Sequence, residues 1–424
     1  MRLPLIVSSL SIAGLAQAGQ FPLGVEIRTD SCTRSENDSL IKLSRELSGN
    51  EYAPETCGIE NAGKASLSNP WTSPPKCIPE QNSTSTYCVY TNDKFANGRG
   101  ISFLTSPSIA ERIALLPAFT KKNLYKKVNQ FDDPPWEVKA IPGRGKGLFA
   151  IRTLHRGEEI VSSTPVGAFQ SDALMPDYAL DYIYLHTAFI HLPKATQQLF
   201  MSTMAGLVGD PIMERLNTNA FSGEFEGSSH FLMYPETARM NHDCRPNAMY
   251  YYDPKTLIHR TIAARTIQSG EEITIPYDNI LRPREERQTS LREFWGFSCG
   301  CSLCSRSDKE IEDSDARIQE ILDLQVKLAN WSPWSSGTPN MAEMLISLYE
   351  EEHLHAAKAT GHTFAALAYN GVGNKMMAEW HAELALEAGM VNSGPNDDIT
   401  AMKKLLDDPE GHWSWMARKA KAEL

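Results

Sequence analysis

At residues 239–247 the sequence is RMNHDCRPN, which sets an imidazole and a thiol between two asparagine amides. Asn241, His242 and Cys244 bring together an amide donor and acceptor, a titratable ring and a soft metal ligand. Pro246 disfavours a continuous helix here, because proline lacks a backbone N–H. A nucleophilic Cys244–His242 pair is one interpretation, but neighbouring chain positions rarely give a nucleophile and its base the required geometry. A ligand or metal site fits these residues better.

Two glycine-containing stretches flank this segment. Residues 143–150 are GRGKGLFA, in which alternating glycines let the backbone approach a ligand closely. The G-x-G-x-G spacing, with no βαβ unit after it, does not fit a dinucleotide-binding turn. Residues 270–277 are GEEITIPY, which predicts a turn followed by a strand that ends near Tyr277.

A cysteine cluster follows at residues 297–304, which are FSCGCSLC. Cysteines two positions apart do not easily bridge each other, and three cysteines leave one unpaired, so disulfides explain the pattern poorly. A tetrahedral zinc site needs four soft ligands, and Cys244 is the obvious fourth. The sequence therefore predicts one Zn²⁺ ion, with ligands Cys244, Cys299, Cys301 and Cys304.

Taken in order, these four stretches resemble the SET domain of protein lysine methyltransferases. The family signatures are G-x-G, N-H-x-C-x-P-N, G-E-E followed by Tyr, and a post-SET C-x-C-x-x-C. The long insert, the cysteine spacing and the Asn219–Phe221 segment resemble the SET- and MYND-type branch. No MYND zinc module can be built from the four scattered N-terminal cysteines, so the resemblance is to that branch without its MYND module.

The resemblance implies an α+β fold: a SET-type β-fold of small sheets with a pseudoknot and a helical insert, a post-SET zinc site and an all-α C-terminal region. The pseudoknot would bring Asn241 close to Tyr277, the catalytic residue. Trp295 replaces a second Tyr found in many relatives, which leaves the number of methyl groups transferred open. The residues that would bind S-adenosyl-L-methionine are Lys146, Gly147, Leu148, Asn219, Asn241, His242 and Phe297.

The activity implied by the resemblance is S-adenosylmethionine-dependent protein-lysine N-methylation, with a protein substrate that has an accessible lysine. The alternative is a secreted binding or structural protein with a catalytically inactive SET fold. Its motivation is the export signal described below, because S-adenosylmethionine is made in the cytosol. The zinc cysteines, the Asn241–His242 pair and Tyr277 are all present, which favours the enzyme.

The charge and the apolar content of the chain limit the classes of binding partner that we expect. The chain has 41 basic and 52 acidic residues, a net charge of −11, so we expect no direct nucleic-acid binding. An acidic surface would suit a lysine-rich substrate. No apolar run reaches the 18 or so residues of a membrane span. Nothing in the composition predicts an oligomeric state.

The N-terminus predicts export. Arg2 precedes the apolar stretch Leu3 to Leu15, and Ala16-Gln17-Ala18 offers a signal-peptidase site. We expect the protein in the secretory pathway or outside the cell, with the nucleus or cytoplasm as the alternative. Asn37 and Asn82 begin glycosylation sequons, which suits secretion. The four cysteines that follow predict two disulfides in any of three connectivities; they are Cys32, Cys57, Cys77 and Cys88.

Composition shifts predict the domain order. A helical pattern of apolar residues continues after the cysteine cluster. It predicts an antiparallel, tetratricopeptide-like helix pair at Thr363–Tyr369 and Met376–Ala388. From Ser108 to Val128 the pattern predicts a helical linker. The predicted segments are a signal peptide (1–18), a polar Cys-containing module (19–105), the linker (106–135), the SET and post-SET domain (136–305) and a helical region (306–424).

Overall fold

The computed structural model describes residues 69–78, 86–174, 178–205, 209–332 and 334–418. The signal peptide, Cys32, Cys57 and both predicted sequons lie outside the described residues.

The strands, as the structure has them, are β1 (Lys76–Ile78), β2 (Tyr87–Asn92), β3 (Ile101–Thr105), β4 (Trp136–Ile141), β5 (Gly145–Ala150), β6 (Glu159–Ser163), β7 (Gly167–Gln170), β8 (Ala220–Phe225), β9 (Ser228–Met233), β10 (Asn241–His242), β11 (Ala248–Asp253), β12 (Ile258–Ala263) and β13 (Glu272–Ile275).

The α-helices are α1 (Pro107–Ala114), α2 (Pro117–Thr120), α3 (Tyr178–Ile190), α4 (Lys194–Met201), α5 (Pro211–Asn219), α6 (Arg284–Trp295), α7 (Asp308–Ala329), α8 (Pro339–Glu351), α9 (Lys358–Gly371), α10 (Lys375–Asn392) and α11 (Asp397–Asp407). None of the helices in the described part of the chain is both long and apolar enough to cross a membrane.

The described residues divide into two compact units. The first contains the described residues up to His242 together with Tyr250–Tyr277, and the second contains Asp243–Met249 and the described residues from Asp278 onward. The predicted 136–305 segment is therefore divided between the two units, and its four predicted metal-binding cysteines group with the C-terminal helices.

The largest sheet of the first unit has the strand order β1-β2-β3-β7-β9-β8. β3 pairs with β7 in parallel, with Ser102 opposite Gly167, and the other pairs are antiparallel. The predicted N-terminal module (19–105) is thus not separate in its described part, because its strands extend a sheet formed with residues from 167 to 233. Cys77 is bonded to Cys88 across β1 and β2, which provides one of the predicted disulfides.

The segment predicted as a helical linker is helical only in part. It forms two short helices, α1 and α2, and turns follow α2. Ser106 begins α1 by accepting a hydrogen bond from the Ile109 backbone N–H. Pro117 forces Leu116 into an extended conformation, with φ −60° and ψ 149°, and so separates the two helices.

The core of the first unit lies between this sheet and helices α3 to α5. Leu104 and Phe169 from the sheet pack with Leu185, Phe200 and Leu216 from the helices, and all of them are buried. This packing holds the helical insert predicted within the SET-type fold.

A second sheet, with order β10-β13-β5-β4, joins three of the sequence motifs. β10 and β13 pair in parallel, with Asn241 opposite Thr274 and His242 opposite Ile275. β13 pairs with β5, with Ile273 opposite Leu148. β11, β12 and β6 form a third, smaller sheet. The predicted α+β architecture of small sheets is confirmed.

The second unit is mainly helical. Helices α9 and α10 confirm the predicted pair, and Gly373, with φ 79°, lies in the turn between them. Asn374 begins α10 by accepting a hydrogen bond from the Met377 backbone N–H. Ile318 and Leu345 belong to the buried core of this unit.

Candidate active site and metal centre

Gly147 packs directly against side chains of the neighbouring strands. A Cβ atom added at this position would lie 2.7 Å from Glu272 Oε1 and 2.9 Å from Asn241 Nδ2. No other residue fits without a shift of both side chains. The glycine therefore brings the β5 backbone, the Asn241 amide and the Glu272 carboxylate into contact.

The Asn241 amide is fixed by two acceptors. Its Nδ2 donates to the Lys146 carbonyl at 3.1 Å and to Glu272 Oε1 at 2.8 Å. Because both partners only accept, the nitrogen must face them, which sets the amide orientation. The Oδ1 atom is then the group that Asn241 can offer to a donor.

Glu272 is a site residue that the sequence reasoning missed. Its side chain is 18% exposed and pairs with Arg144, whose Nη1 lies 3.2 Å from Oε2. The sequence feature that could have identified Glu272 is its position as the second glutamate of Gly270-Glu271-Glu272, at the start of β13. The position alone did not indicate whether the side chain faces solvent or Asn241.

His242 and Tyr277 are linked by a hydrogen bond. The Tyr277 backbone N–H donates to His242 Nδ1 at 3.0 Å, and His242 is buried. The Tyr277 hydroxyl donates to the Met240 carbonyl at 2.7 Å. Burial, and then the negative charge of Glu272, raise the pKa of Tyr277, so its hydroxyl stays protonated near neutral pH. The parallel β10–β13 pairing thus places Asn241 and Tyr277 at one edge of the sheet.

Two other residues predicted to bind the cofactor, Asn219 and Leu148, are not part of the Asn241–Glu272 hydrogen bond. Asn219 Nδ2 donates to the Met204 carbonyl at 2.6 Å and to the Arg215 carbonyl at 2.8 Å, which secures the end of α5. The Met204 Cε atom lies 3.9 Å from the Cβ position of Gly145. Leu148 is fully buried, and its contact with a cofactor stays a prediction. A cofactor contact from Asn219 stays a prediction.

Phe297 and Trp295 belong to the second unit. Trp295 is the last residue of α6, and Gly296 ends the helix in the left-handed conformation with φ 72°. The Phe297 backbone N–H donates to the Leu291 carbonyl at 3.4 Å. The stacking of Phe297 on a cofactor adenine stays a prediction.

The four predicted zinc cysteines form one cluster in the second unit. Their Sγ atoms all lie within 4.8 Å of one another, and Cys244 Sγ is 3.6 Å from Cys304 Sγ and 3.9 Å from Cys299 Sγ. Tetrahedral Zn–S bonds of about 2.3 Å put sulfur atoms about 3.8 Å apart. The cluster can hold a metal ion. Because the Cys244 thiol belongs to this cluster, the structure disfavours the alternative in which Cys244 is a nucleophile paired with His242.

The thiol pKa values reflect this crowding. Hydrogen bonds from the Cys244 thiol to the Cys299, Cys301 and Cys304 sulfur atoms raise the pKa of Cys244, and the hydrogen bond that Cys304 accepts from Cys244 lowers the pKa of Cys304. Four adjacent thiols cannot all ionise without a cation, so a divalent ion would resolve the conflict.

Helix α6 supports the cluster with two buried side chains. Gln288 Nε2 donates to the Cys299 carbonyl at 2.7 Å, and its Oε1 accepts from the Cys299 N–H at 2.9 Å. The Arg287 guanidinium is 1% exposed. Burial opposes its charge, but Cys244 and Cys304 beside it raise the pKa of Arg287. A fixed cation thus partly balances the thiolates.

Comparison with known proteins agrees with this geometry. Residues 145–278 match the family model of the SET domain. The chain therefore contains a SET domain, as the four motifs predicted.

Three relatives show the range of similarity. Histone-lysine N-methyltransferase set5 of Schizosaccharomyces pombe is 30% identical over 195 residues, which are 46% of this chain and 58% of that protein. SET domain-containing protein SmydA-8, isoform A, of Drosophila melanogaster is 34% identical over 161 residues, or 37% of this chain and 33% of that protein. Human N-lysine methyltransferase SMYD2 is 35% identical over 101 residues, or 23% of each chain. The matches thus span less than two thirds of each relative's length.

Proposed function

We propose that this protein is an S-adenosylmethionine-dependent protein-lysine N-methyltransferase. The observation that carries the proposal is the contact among Gly147, Asn241 and Glu272, next to the strand that leads to Tyr277. Similarity to proteins named as histone-lysine and N-lysine methyltransferases supports the same reaction class.

The residues present fit the cofactor. Asn241 Oδ1 is an acceptor beside the Glu272 carboxylate, a combination that suits a cationic donor. S-adenosylmethionine carries an ammonium and a sulfonium, and it would supply the activated methyl group when bound. Gly147 has no side chain of its own, so the β5 backbone lies directly against the Asn241 amide and the Glu272 carboxylate. We therefore assign the cofactor to Lys146, Gly147, Leu148, Asn241 and His242.

Tyr277 would hold the substrate amine. Because its hydroxyl proton is donated to the Met240 carbonyl, the hydroxyl oxygen can accept a hydrogen bond from an amine N–H. Such a bond aims the nitrogen lone pair, and alignment accounts for most of the acceleration in a displacement reaction.

Buried aromatic side chains near Tyr277 favour the neutral amine. Tyr250 is buried, and its pKa is raised by burial and by the neighbouring Tyr277. Phe221 meets the Tyr250 ring edge to face, with centroids 5.1 Å apart. A dry aromatic surface stabilises an uncharged amine over an ammonium, so it would promote loss of the lysine proton before transfer.

For the four-cysteine cluster we propose a structural Zn²⁺ ion. Four thiolates at tetrahedral spacing fit zinc better than a harder cation, and a complete set of four protein ligands leaves no position for catalysis. The ion would join Cys244 to the segment that contains Cys299 and Cys304.

A second candidate is an exported protein whose SET domain no longer turns over. The Cys77–Cys88 disulfide favours it, because disulfides persist mainly in oxidising compartments. The predicted N-terminal signal peptide points the same way, and for this candidate we propose the secretory pathway, with the nucleus or cytoplasm as the alternative location.

Calorimetry of the full chain with S-adenosylmethionine separates the two candidates. We expect saturable binding of one cofactor molecule, and incorporation of labelled methyl groups into a lysine-rich protein. Absence of binding by folded, zinc-loaded protein would contradict the enzyme and favour the second candidate. Loss of labelling when substrate lysines are replaced by arginine would identify the acceptor.

A further inference from the structure

Glu352, directly after α8, has a buried carboxylate with three donors. Its side chain is 2% exposed, and Oε2 accepts from Arg245 Nη2 at 2.5 Å and from Ser314 Oγ at 2.7 Å. Oε1 accepts from Arg317 Nε at 2.6 Å. Each carboxylate oxygen is thus engaged, and the side chain has one permitted orientation.

Arg245 connects this carboxylate to the metal-binding segment. Its Nε donates to the Glu352 carbonyl at 2.5 Å, and its Nη1 donates to the Cys244 carbonyl at 2.8 Å. The Arg245 side chain is 8% exposed. Because a guanidinium is planar and rigid, fixing one edge on Glu352 fixes the other edge on Cys244.

Cys244 is the ligand that most needs such support. Cys301 and Cys304 lie in one tight turn, closed by hydrogen bonds from Ser305 N to the Cys301 carbonyl and from Cys304 N to Cys301 Sγ. Cys244 is 55 residues from Cys299, so no local turn places it beside the other cysteines.

We propose that Glu352 is a positioning residue of the four-cysteine centre, and that it acts by holding Arg245 against the backbone of Cys244. The inference rests on the zinc centre proposed above. The C-terminal helices then belong to the metal site, and linkage requires that metal binding stabilise these helices in return.

The test compares Glu352→Gln with Glu351→Gln in the full, zinc-loaded chain. Glu351 is the adjacent residue, its side chain is 58% exposed, and it pairs with the same Arg317 at 3.2 Å. Zinc release to a colorimetric chelator and thermal unfolding are followed in parallel. We expect E352Q to lose zinc roughly 10- to 100-fold faster, as for other changes in groups that orient metal ligands. E351Q should behave like the unchanged protein.

Glu352→Gln leaves Arg245 buried without its anion, so it can also unfold the chain. The double variant R245Q/E352Q removes both charges and guards against that outcome. We expect it to recover much of the thermal stability while zinc release stays fast, since the donor to the Cys244 carbonyl is lost.

Zinc release from folded E352Q at the unchanged rate, or slow release from the double variant, would overturn the inference while leaving the zinc centre intact. Unchanged protein that never takes up zinc would instead contradict the centre itself, and the inference with it.

Discussion

The side-chain amide of Asn241 donates to the carboxylate of Glu272 at 2.8 Å, and a Cβ atom at Gly147 would collide with both groups. This contact sets the direction of the Asn241 amide, with the Glu272 carboxylate on its nitrogen and its oxygen left to accept a hydrogen bond. The pair therefore forms an acceptor site for a cation, which is the basis of the first prediction.

Glu272→Gln should weaken S-adenosylmethionine binding about tenfold or more. A charge-assisted hydrogen bond contributes roughly 1.5–3 kcal/mol, and the Asn241 amide would lose its fixed direction. Calorimetry measures the change. Glu159→Gln is the matched control, because Glu159 has the same place in Gly157-Glu158-Glu159 and pairs with Arg260. Equal effects of the two changes would contradict a specific role for Glu272.

Gly147→Ala should destabilise the first unit by about 1–3 kcal/mol, because the added methyl overpacks the site. Cofactor binding should be lost in the fraction that remains folded, since Asn241 and Glu272 must move apart. Urea unfolding and calorimetry report the two effects. Gly300→Ala is the control, because a Cβ there meets nothing within 4 Å. Cofactor binding by G147A at the original affinity would show that the contact is not required.

Tyr277→Phe should reduce methyl transfer on the order of 10²-fold, the usual loss for one transition-state hydrogen bond. Cofactor affinity should change little, because the hydroxyl acts on the substrate amine. Asn241→Ala should instead act mainly on the cofactor, so we expect weaker S-adenosylmethionine binding in this variant. Single-turnover kinetics with calorimetry distinguishes these cases. Equal loss of binding in both variants would reverse the assigned roles.

Cys301→Ser should abolish tight zinc binding and lower the unfolding temperature of the second unit. Three thiolates and a hydroxyl bind zinc far more weakly than four thiolates, and metal binding energy contributes to folding. Metal analysis after gel filtration measures the stoichiometry, with Ser302→Ala as the neighbouring control. Unchanged zinc content in C301S would exclude Cys301 as a ligand.

The helical unit should lose stability as the pH falls from about 6.5 to 4. His362 Nδ1 lies 3.1 Å from His381 Nδ1, and His381 Nε2 lies 3.0 Å from Glu343 Oε1. Since Glu343 accepts from His381, the His381 Nδ1 must accept from His362, and a proton added at His381 Nδ1 breaks this chain. The positive charge of Lys358 and the negative charge of Glu350 also act on His362.

The lowered pKa of His362 sets the direction in which folding stability changes with pH. Burial, then His381, lower the pKa of His362 from 6.5 to about 4, so in this window the unfolded chain binds more protons than the folded chain. Stability is therefore complete above pH 6.5 and declines below it. Thermal unfolding between pH 7 and 4 tests this, and His362→Gln should flatten the decline. An identical pH profile in H362Q would contradict the assignment.

Several features of this protein were determined locally, and the sequence predicted them. The strand predicted within residues 270–277 forms β13 (Glu272–Ile275), because alternating side chains and flanking turn residues define a strand over a few positions. Cys299, Cys301 and Cys304 lie within six residues, and a single turn holds Cys301 and Cys304, so their spacing alone indicated a metal site. The SET-type architecture followed from four such local motifs.

Other features were decided only by the tertiary structure. The parallel pairing of β3 with β7 makes the described part of the predicted N-terminal module part of the largest sheet. The sequence of neither strand indicates which strand it pairs with. Glu272 faces Asn241 across 31 positions, and Arg245 faces Glu352 across 107. A charged residue has the same local pattern in solvent or in a buried pair. Which of the two it adopts depends on the strands and helices that the whole fold packs around it.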